Sequence, residues 1–243
     1  YLLIVVVLAA VYAAIGQLAL LIPSAVLKVA PFYPSAGIAQ AALLLLGIRV
    51  WPGVVVGSLV VALWTGLPLS VAIGIGTIAT LQAILGVILL RRWQIKLNLE
   101  RLQDVLGLIA FCAIVSTAIG AALNVSLLCL YGIQPGSNFA SAWWTWWLGD
   151  GMGVLVVTPV FLTWCTGNPT RDSVWPKMMP KRQKYMDAGI LLILLIGVTW
   201  IVFTSHSGSV IANYPMEYLP FPLLVWVALR FAQRGTTLAI FIF

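Results

Sequence analysis

Asp150 is the only acidic residue inside any of the long apolar runs of this chain. An ionised carboxylate at such a depth costs a few kcal/mol on insertion scales, so it needs a partner or a task. At helical spacing Trp143, Trp146 and Trp147 share the Asp150 face, while Trp144 points elsewhere. Aromatic faces beside a carboxylate attract a cation. Three amides, Gln17, Gln40 and Asn124, are further strongly polar groups in apolar runs. These seven residues form a candidate ligand-binding or signalling set for a small ligand of unspecified identity. Two plainer readings stand beside it. The tryptophans suit a membrane-interface belt, and Asp150 suits a structural tie to Gln17, Gln40 or Asn124.

The elements that must position these groups are set by composition. Of 243 residues, 62% are apolar and 8% are charged, against about 25% charged in an ordinary soluble domain. Mean hydropathy is +1.08. Disorder, a coiled coil and a nucleic-acid-binding domain are excluded, and the lipid bilayer is the solvent that fits. The net charge of +7 does not indicate nucleic acid, because the cations cluster in short links between apolar runs. Cys112, Cys129 and Cys165 lie inside apolar runs, without CxxC or metal spacing, so neither a disulfide framework nor a metal site is expected.

Apolar runs cover Tyr1–Ile22, about 36–48, about 53–64, Leu69–Leu90, Val105–Leu130, Phe139–Cys165, Ala188–Thr204 and about 219–232, and a ninth starts after Gly235. The expected fold is all-α: a polytopic helical membrane protein with about eight complete transmembrane segments and a truncated ninth. The second and third runs are short for full spans and suit tilted, broken or re-entrant segments. Arg49, Arg91, Arg92, Lys96, Arg101, Arg171, Lys177, Lys181, Arg182, Lys184, Arg230 and Arg234 fall in links of one parity, and Lys28 alone falls in the other. The positive-inside rule then places the N-terminus in the cytoplasm. With that topology Gln17 and Gln40 lie near outer helix ends, Asn124 in an outer half, and Asp150 about 16 Å from the outer surface. The set suits a pocket reached from the periplasm. Gln94–Asp104 mixes charges with leucines and suits either an interfacial helix or a solvated linker.

No catalytic constellation appears: there is no Ser/His/Asp arrangement, no phosphate-cradling loop and no carboxylate pair. His206, the single histidine, reads as an outer-loop residue. Gly149 with Gly153, and Gly53 with Gly57, form GxxxG spacings that let helix backbones approach closely. The stretch from Tyr33 to Gly53 is echoed by Tyr218 to Gly235, the pattern of a transporter repeat.

Particular motifs carry a family resemblance. Tyr33-Pro34-Ser35-Ala36-Gly37, then Arg49-Val50-Trp51-Pro52-Gly53, resembles the membrane-associated sensor domain of the first type (MASE family). So do Thr80 to Arg92, Trp146 to Gly153 with Gly149 and Gly153, and Pro220-Phe221-Pro222 with Arg230. The resemblance implies one integral-membrane input domain over residues 1–243, non-enzymatic in itself and without a cofactor. It further implies a covalently linked cytoplasmic effector, such as a diguanylate cyclase, phosphodiesterase or histidine kinase, and hence the bacterial inner membrane.

The primary expectation is therefore a signal-input domain that senses a periplasmic or intramembrane stimulus and controls cyclic di-GMP turnover or a histidine kinase. A small-solute transporter or channel is the alternative. A third reading is a scaffold that homodimerises through its GxxxG faces. The run after Gly235 reaches Phe243 after roughly 13 Å of helix, which reads as a fragment cut inside its ninth span, with a tenth crossing expected before any output domain.

Overall fold

The computed structural model of the chain describes residues 1–21, 32–97, 99, 101–166, 193 and 196–197. Every regular element among them is helical. The elements are α1 (Leu2–Leu20), α2 (Pro34–Leu45), a 3₁₀ turn (Ile48–Val50), α3 (Trp51–Trp64), α4 (Leu69–Arg92), α5 (Leu102–Gly107), a π-helical segment (Leu108–Ser116), α6 (Thr117–Leu130) and α7 (Phe139–Thr166). In lipid only a helix or a closed barrel satisfies every backbone group, and these apolar runs lack the alternation of barrel strands. Among the described residues four spans are long and apolar enough to cross a membrane: Leu2–Leu20, Leu69–Arg92, Leu102–Leu130 and Gly136–Thr166. They agree with four of the expected runs. The expected eighth and ninth runs, all of the seventh except residues 193 and 196–197, His206, the echo from Tyr218 and motif residues Pro220, Pro222 and Arg230 lie outside the described residues.

Small residues set the packing. Gly53 lies against Val5 and Leu8, and Gly57 against Ala9 and Tyr12, so α1 and α3 run parallel in close contact. A four-residue link then turns α3 back into α4, where Gly76 abuts the Val55 carbonyl. Continuous helix from α5 through α6 runs antiparallel to α4, with Gly74 opposite Leu127 and Gly120 against Gln82. After the turn at Gly132, α7 packs back along that rod. Trp143 Nε1 donates to the Ala118 carbonyl at 3.0 Å and Trp147 Nε1 to the Ile114 carbonyl at 3.1 Å. Without water to drive apolar surfaces together, such close approaches and interhelical hydrogen bonds supply the cohesion. Both GxxxG pairs are consumed inside the chain, because Gly149 and Gly153 receive Tyr33. A scaffold that dimerises through these faces loses its interface.

Short helix α2 has the decisive placement. Its N-terminus does not start at a membrane surface. The Tyr33 amide donates to the Gly149 carbonyl at 3.0 Å, and Gly149 lies ten residues, about 15 Å, along α7. On the other side Ser35 Oγ donates to the Tyr12 carbonyl at 2.9 Å, ten residues along α1. Gly37 meets Gly153 and Val157, and Thr158 Oγ1 donates to the Gly37 carbonyl at 3.0 Å. From this mid-depth start, 12 residues rise about 18 Å to the end of the bundle where Tyr1 donates to the Arg49 carbonyl. Thus α2 is a half-length helix, and Pro34 at its first turn costs no helical hydrogen bond. The described cations Arg49, Arg91, Arg92, Lys96 and Arg101 gather at that same end, as the parity of the links requires.

The stretch Gln94–Asp104 does not form the interfacial helix considered above. Gln94 and Leu99 take positive φ, helix begins only at Leu102, and the buried Asp104 accepts from the Lys96 amide at 2.9 Å. A carboxylate that captures a backbone donor folds the link back under the bundle, where Ile95 fills the space at Gly107.

Candidate functional site

A cavity of about 340 Å³ lies between α1, α2, α3, α4, α6 and α7. The start of α2 contributes to it through Tyr33, Ala36, Ala39 and Gln40. Its upper rim is Thr65 and Leu67 from the α3–α4 link and Ile133 and Gln134 from the α6–α7 link. These links lie at the end opposite the described cations. The cavity reaches from that rim to the middle of the bundle, where Gln82 is thirteen residues from Leu69 and ten from Arg92.

Polar groups concentrate at its deep end. Gln82 Nε2 donates to Asp150 Oδ2 at 2.9 Å, which ties α4 to α7. The Gln82 side chain finds room because residue 120, opposite it on α6, is glycine. The Tyr12 hydroxyl hydrogen-bonds with Tyr33 and Ser58, and Tyr33 also with Ser35. The two tyrosine rings meet edge to face at 6.3 Å. Gln40, 1% exposed, lies against Gly86. Asn124 enters from α6, six residues below its end at Leu130. The remaining walls are small and apolar, with Ala36, Ala39, Ala62, Ala79 and Ala83 prominent.

Four lining amides each leave one atom without a hydrogen-bond partner among the described residues: Gln40 Nε2, Gln82 Oε1, Asn124 Oδ1 and Gln134 Nε2. An unsatisfied buried polar atom costs about 1–3 kcal/mol, so amides gathered around one space suit a site that exchanges partners.

The sequence-derived set is thus divided. Asp150, Trp146, Gln40 and Asn124 do converge on the cavity. Gln40 sits deeper than expected, because α2 begins at mid-depth and carries its sixth and seventh residues below the centre. Gln17 does not line the cavity; its Nε2 donates to the Val61 carbonyl at 3.4 Å. Trp143 and Trp147 also leave it. They stack with each other at 5.2 Å and aim their N–H groups at the α6 rod and its π-helical segment. A buried indole N–H seeks an acceptor, and backbone carbonyls across the α7 interface supply it. Asp150 is tied to Gln82 rather than to Gln17, Gln40 or Asn124. The sequence reading missed Gln82, Tyr12, Ser58 and Gln134. Gln82 was findable, since an amide in the middle of the Leu69–Leu90 run meets the criterion that singled out the others. The family-motif residues Tyr33, Pro34, Gly37, Gly149 and Gly153 form the α2–α7 junction under the cavity. Arg49, Trp51, Pro52 and Gly53 shape the turn into α3, with Pro52 in its first turn.

Among the described residues no group of three or more His, Cys, Asp or Glu is placed to hold a metal ion. What the described lining offers is one carboxylate, several hydroxyls and amides that can donate or accept, in an otherwise apolar enclosure. The family model MASE1 matches residues 1–243. No curated protein and no solved structure matches the chain.

Proposed function

The chain belongs to the MASE1 family of membrane sensor input domains, and on that premise we propose that the cavity is its sensory site, occupied by a small ligand that arrives from the periplasm. The end bearing Arg49, Arg91 and Arg92 is cytoplasmic in this reading, in a bacterial inner membrane, and the N-terminus lies on the same side. The observation that carries the proposal is the convergence, on a cavity whose rim lies opposite the described cations, of amides with atoms that have no partner among the described residues. A ligand that binds one helix arrangement better than another shifts the population by that difference alone. The α2–α7 junction is the element such a ligand would bias, since Tyr33 both lines the cavity and holds Gly149. The movement would pass to a linked cytoplasmic effector, in cyclic di-GMP turnover or a histidine kinase.

The test is effector output of the full-length protein in native membranes. Ala79→Phe places a ring in the cavity from α4 while leaving Asp150 and the junction residues themselves unchanged. At equal membrane abundance its output is expected to differ at least threefold from wild type. Equal output and equal response to growth conditions would refute a sensory cavity.

A second reading, a small-solute transporter, is favoured by one feature: a helix that begins at mid-depth beside a polar cavity, as discontinuous transporter helices do. Reconstituted vesicles separate the two, because a transporter moves a bound solute across the bilayer and a sensor does not.

A further inference from the structure

The lining of the cavity specifies a ligand charge. Asp150 is the single carboxylate among the described lining residues, and no Lys, Arg or His lies among them. The described cations sit at the far end of the bundle, beyond Gln40 and the length of α2. An anionic ligand would meet the like charge of Asp150, with no cation among the described lining residues to neutralise it. A bare metal ion would find only one carboxylate. A carboxylate in this enclosure is instead completed by an organic cation, which brings counter-charge and apolar surface together.

Further lining groups agree with that choice. Trp146 lies one helical turn from Asp150 on α7 and lines the same space, so an indole flanks the carboxylate at the spacing a cation–π contact uses. Gln82 occupies one oxygen of Asp150 by donating to Oδ2, and it orients the carboxylate from the α4 side. Asn124, 5% exposed, adds an Oδ1 acceptor without a partner from α6. Alanines and valine on α2, α3 and α4 leave room for a carbon body rather than a second polar group.

We propose that the cavity binds a small organic monocation, a protonated amine with an apolar or aromatic body, whose ammonium group sits on Asp150 beside Trp146. This rests on the cavity being the ligand site. The ammonium donates to Asp150 and its positive charge faces the indole, while the carbon body lies along Ala36, Ala79 and Ala83. Selectivity over a neutral isostere comes from the carboxylate, because a buried carboxylate left without a counter-charge is costly.

The experiment uses the full-length protein in lipid nanodiscs and three probes of one shape: phenethylamine, 2-phenylethanol and phenylacetate. Calorimetric titration is run on wild type, Asp150→Asn, Asp150→Glu and Ala79→Phe, with folding checked by circular dichroism. The expected result is phenethylamine binding at least tenfold tighter than 2-phenylethanol, with no phenylacetate binding. Asp150→Asn, which keeps shape and the capacity to accept from Gln82, should remove the tenfold preference, and Asp150→Glu should retain part of it. If 2-phenylethanol binds as tightly as the amine and Ala79→Phe abolishes both, the cavity is a ligand site and the charge assignment is overturned. If no probe binds wild type up to millimolar concentration, the organic-cation proposal falls while the sensory cavity is still judged by the output of Ala79→Phe; if the probes bind and Ala79→Phe leaves binding unchanged, they do not bind in the cavity and the organic-cation proposal likewise falls.

Discussion

Replacing Gly153 with alanine tests the junction beneath the cavity, and the expected sign is opposite to the naive one. Gly153 lies within α7, where a glycine-to-alanine change normally stabilises a helix by roughly 0.5–1 kcal/mol. Here the added Cβ would strike the Tyr33 carbonyl and come to 3.4 Å from the Pro34 nitrogen, both backbone groups at the start of α2. No rotamer change relieves a backbone clash, so α2 must move away from α7. Overpacking of this kind costs about 1–3 kcal/mol. The movement also stretches the Tyr33–Gly149 and Thr158–Gly37 hydrogen bonds, both 3.0 Å. Interhelical hydrogen bonds in membranes are worth roughly 0.6 kcal/mol each and up to about 1.7. The clash and the weakened bonds outweigh the propensity gain, which leaves a net loss of about 2 kcal/mol. That lowers the folded-to-unfolded ratio by a factor on the order of 30. The assay is reversible unfolding of the protein in mixed micelles of mild detergent and dodecyl sulfate, followed by circular dichroism. Gly74→Ala is the matched control, since its Cβ would meet only the flexible Leu127 tip, at 2.5 Å and 3.3 Å, which can turn aside. Gly74→Ala should stay within about 1 kcal/mol of wild type. If Gly153→Ala is as stable as Gly74→Ala or more so, the close α2–α7 junction is wrong.

Gly120→Ala should act at a distance on Asp150: its Cβ would occupy the space of the Gln82 amide and turn Gln82 off the carboxylate, so effector output should match that of Gln82→Leu. Output like wild type in Gly120→Ala and altered output in Gln82→Leu would show that the glycine is not what seats the amide. Trp147→Phe removes the indole donor that reaches the Ile114 carbonyl and should cost about 1 kcal/mol in the same unfolding assay, more than Trp144→Phe, whose indole is half exposed and makes no interhelical hydrogen bond among the described residues. A stability order reversed between the two would remove Trp147 from the α7 interface. Sidedness is read by cysteine labelling in a background without Cys112, Cys129 and Cys165: Ser137→Cys should react with an impermeant maleimide from the periplasm and Arg91→Cys only after lysis. Periplasmic labelling at position 91 would invert the bundle.

Much of this protein is legible in its sequence because lipid leaves the backbone few choices. Apolar runs of 19 to 31 residues must be helices when no water is present to satisfy their amides, and the four long spans appear where hydropathy placed them. Proline marked ends that the structure keeps, at Pro34 and at Pro52. The depth of Asp150 and the gathering of cations at one end follow from counting residues along such helices. The contacts between helices did not follow in the same way. Helical periodicity placed Trp143, Trp146 and Trp147 on one face, yet that face meets two neighbours: Trp146 falls on the cavity side and Trp143 and Trp147 on the α6 side. A small rotation of α7 about its axis, settled by packing against glycines on other helices, decides which. Gln40 was placed too high for a related reason. Hydropathy gives the length of a segment but not the level at which it starts, and α2 starts where Gly149 and Tyr12 hold it. The pairing of Gln82 with Asp150 joins residues 68 apart in sequence, on helices whose adjacency no run length records. In a bilayer all lipid-facing and many helix-facing residues are alike in hydropathy, so pattern distinguishes membrane from water but not neighbour from neighbour. Close backbone approach at glycine and the few polar groups that must find partners make that second choice, and both act only once the helices are side by side.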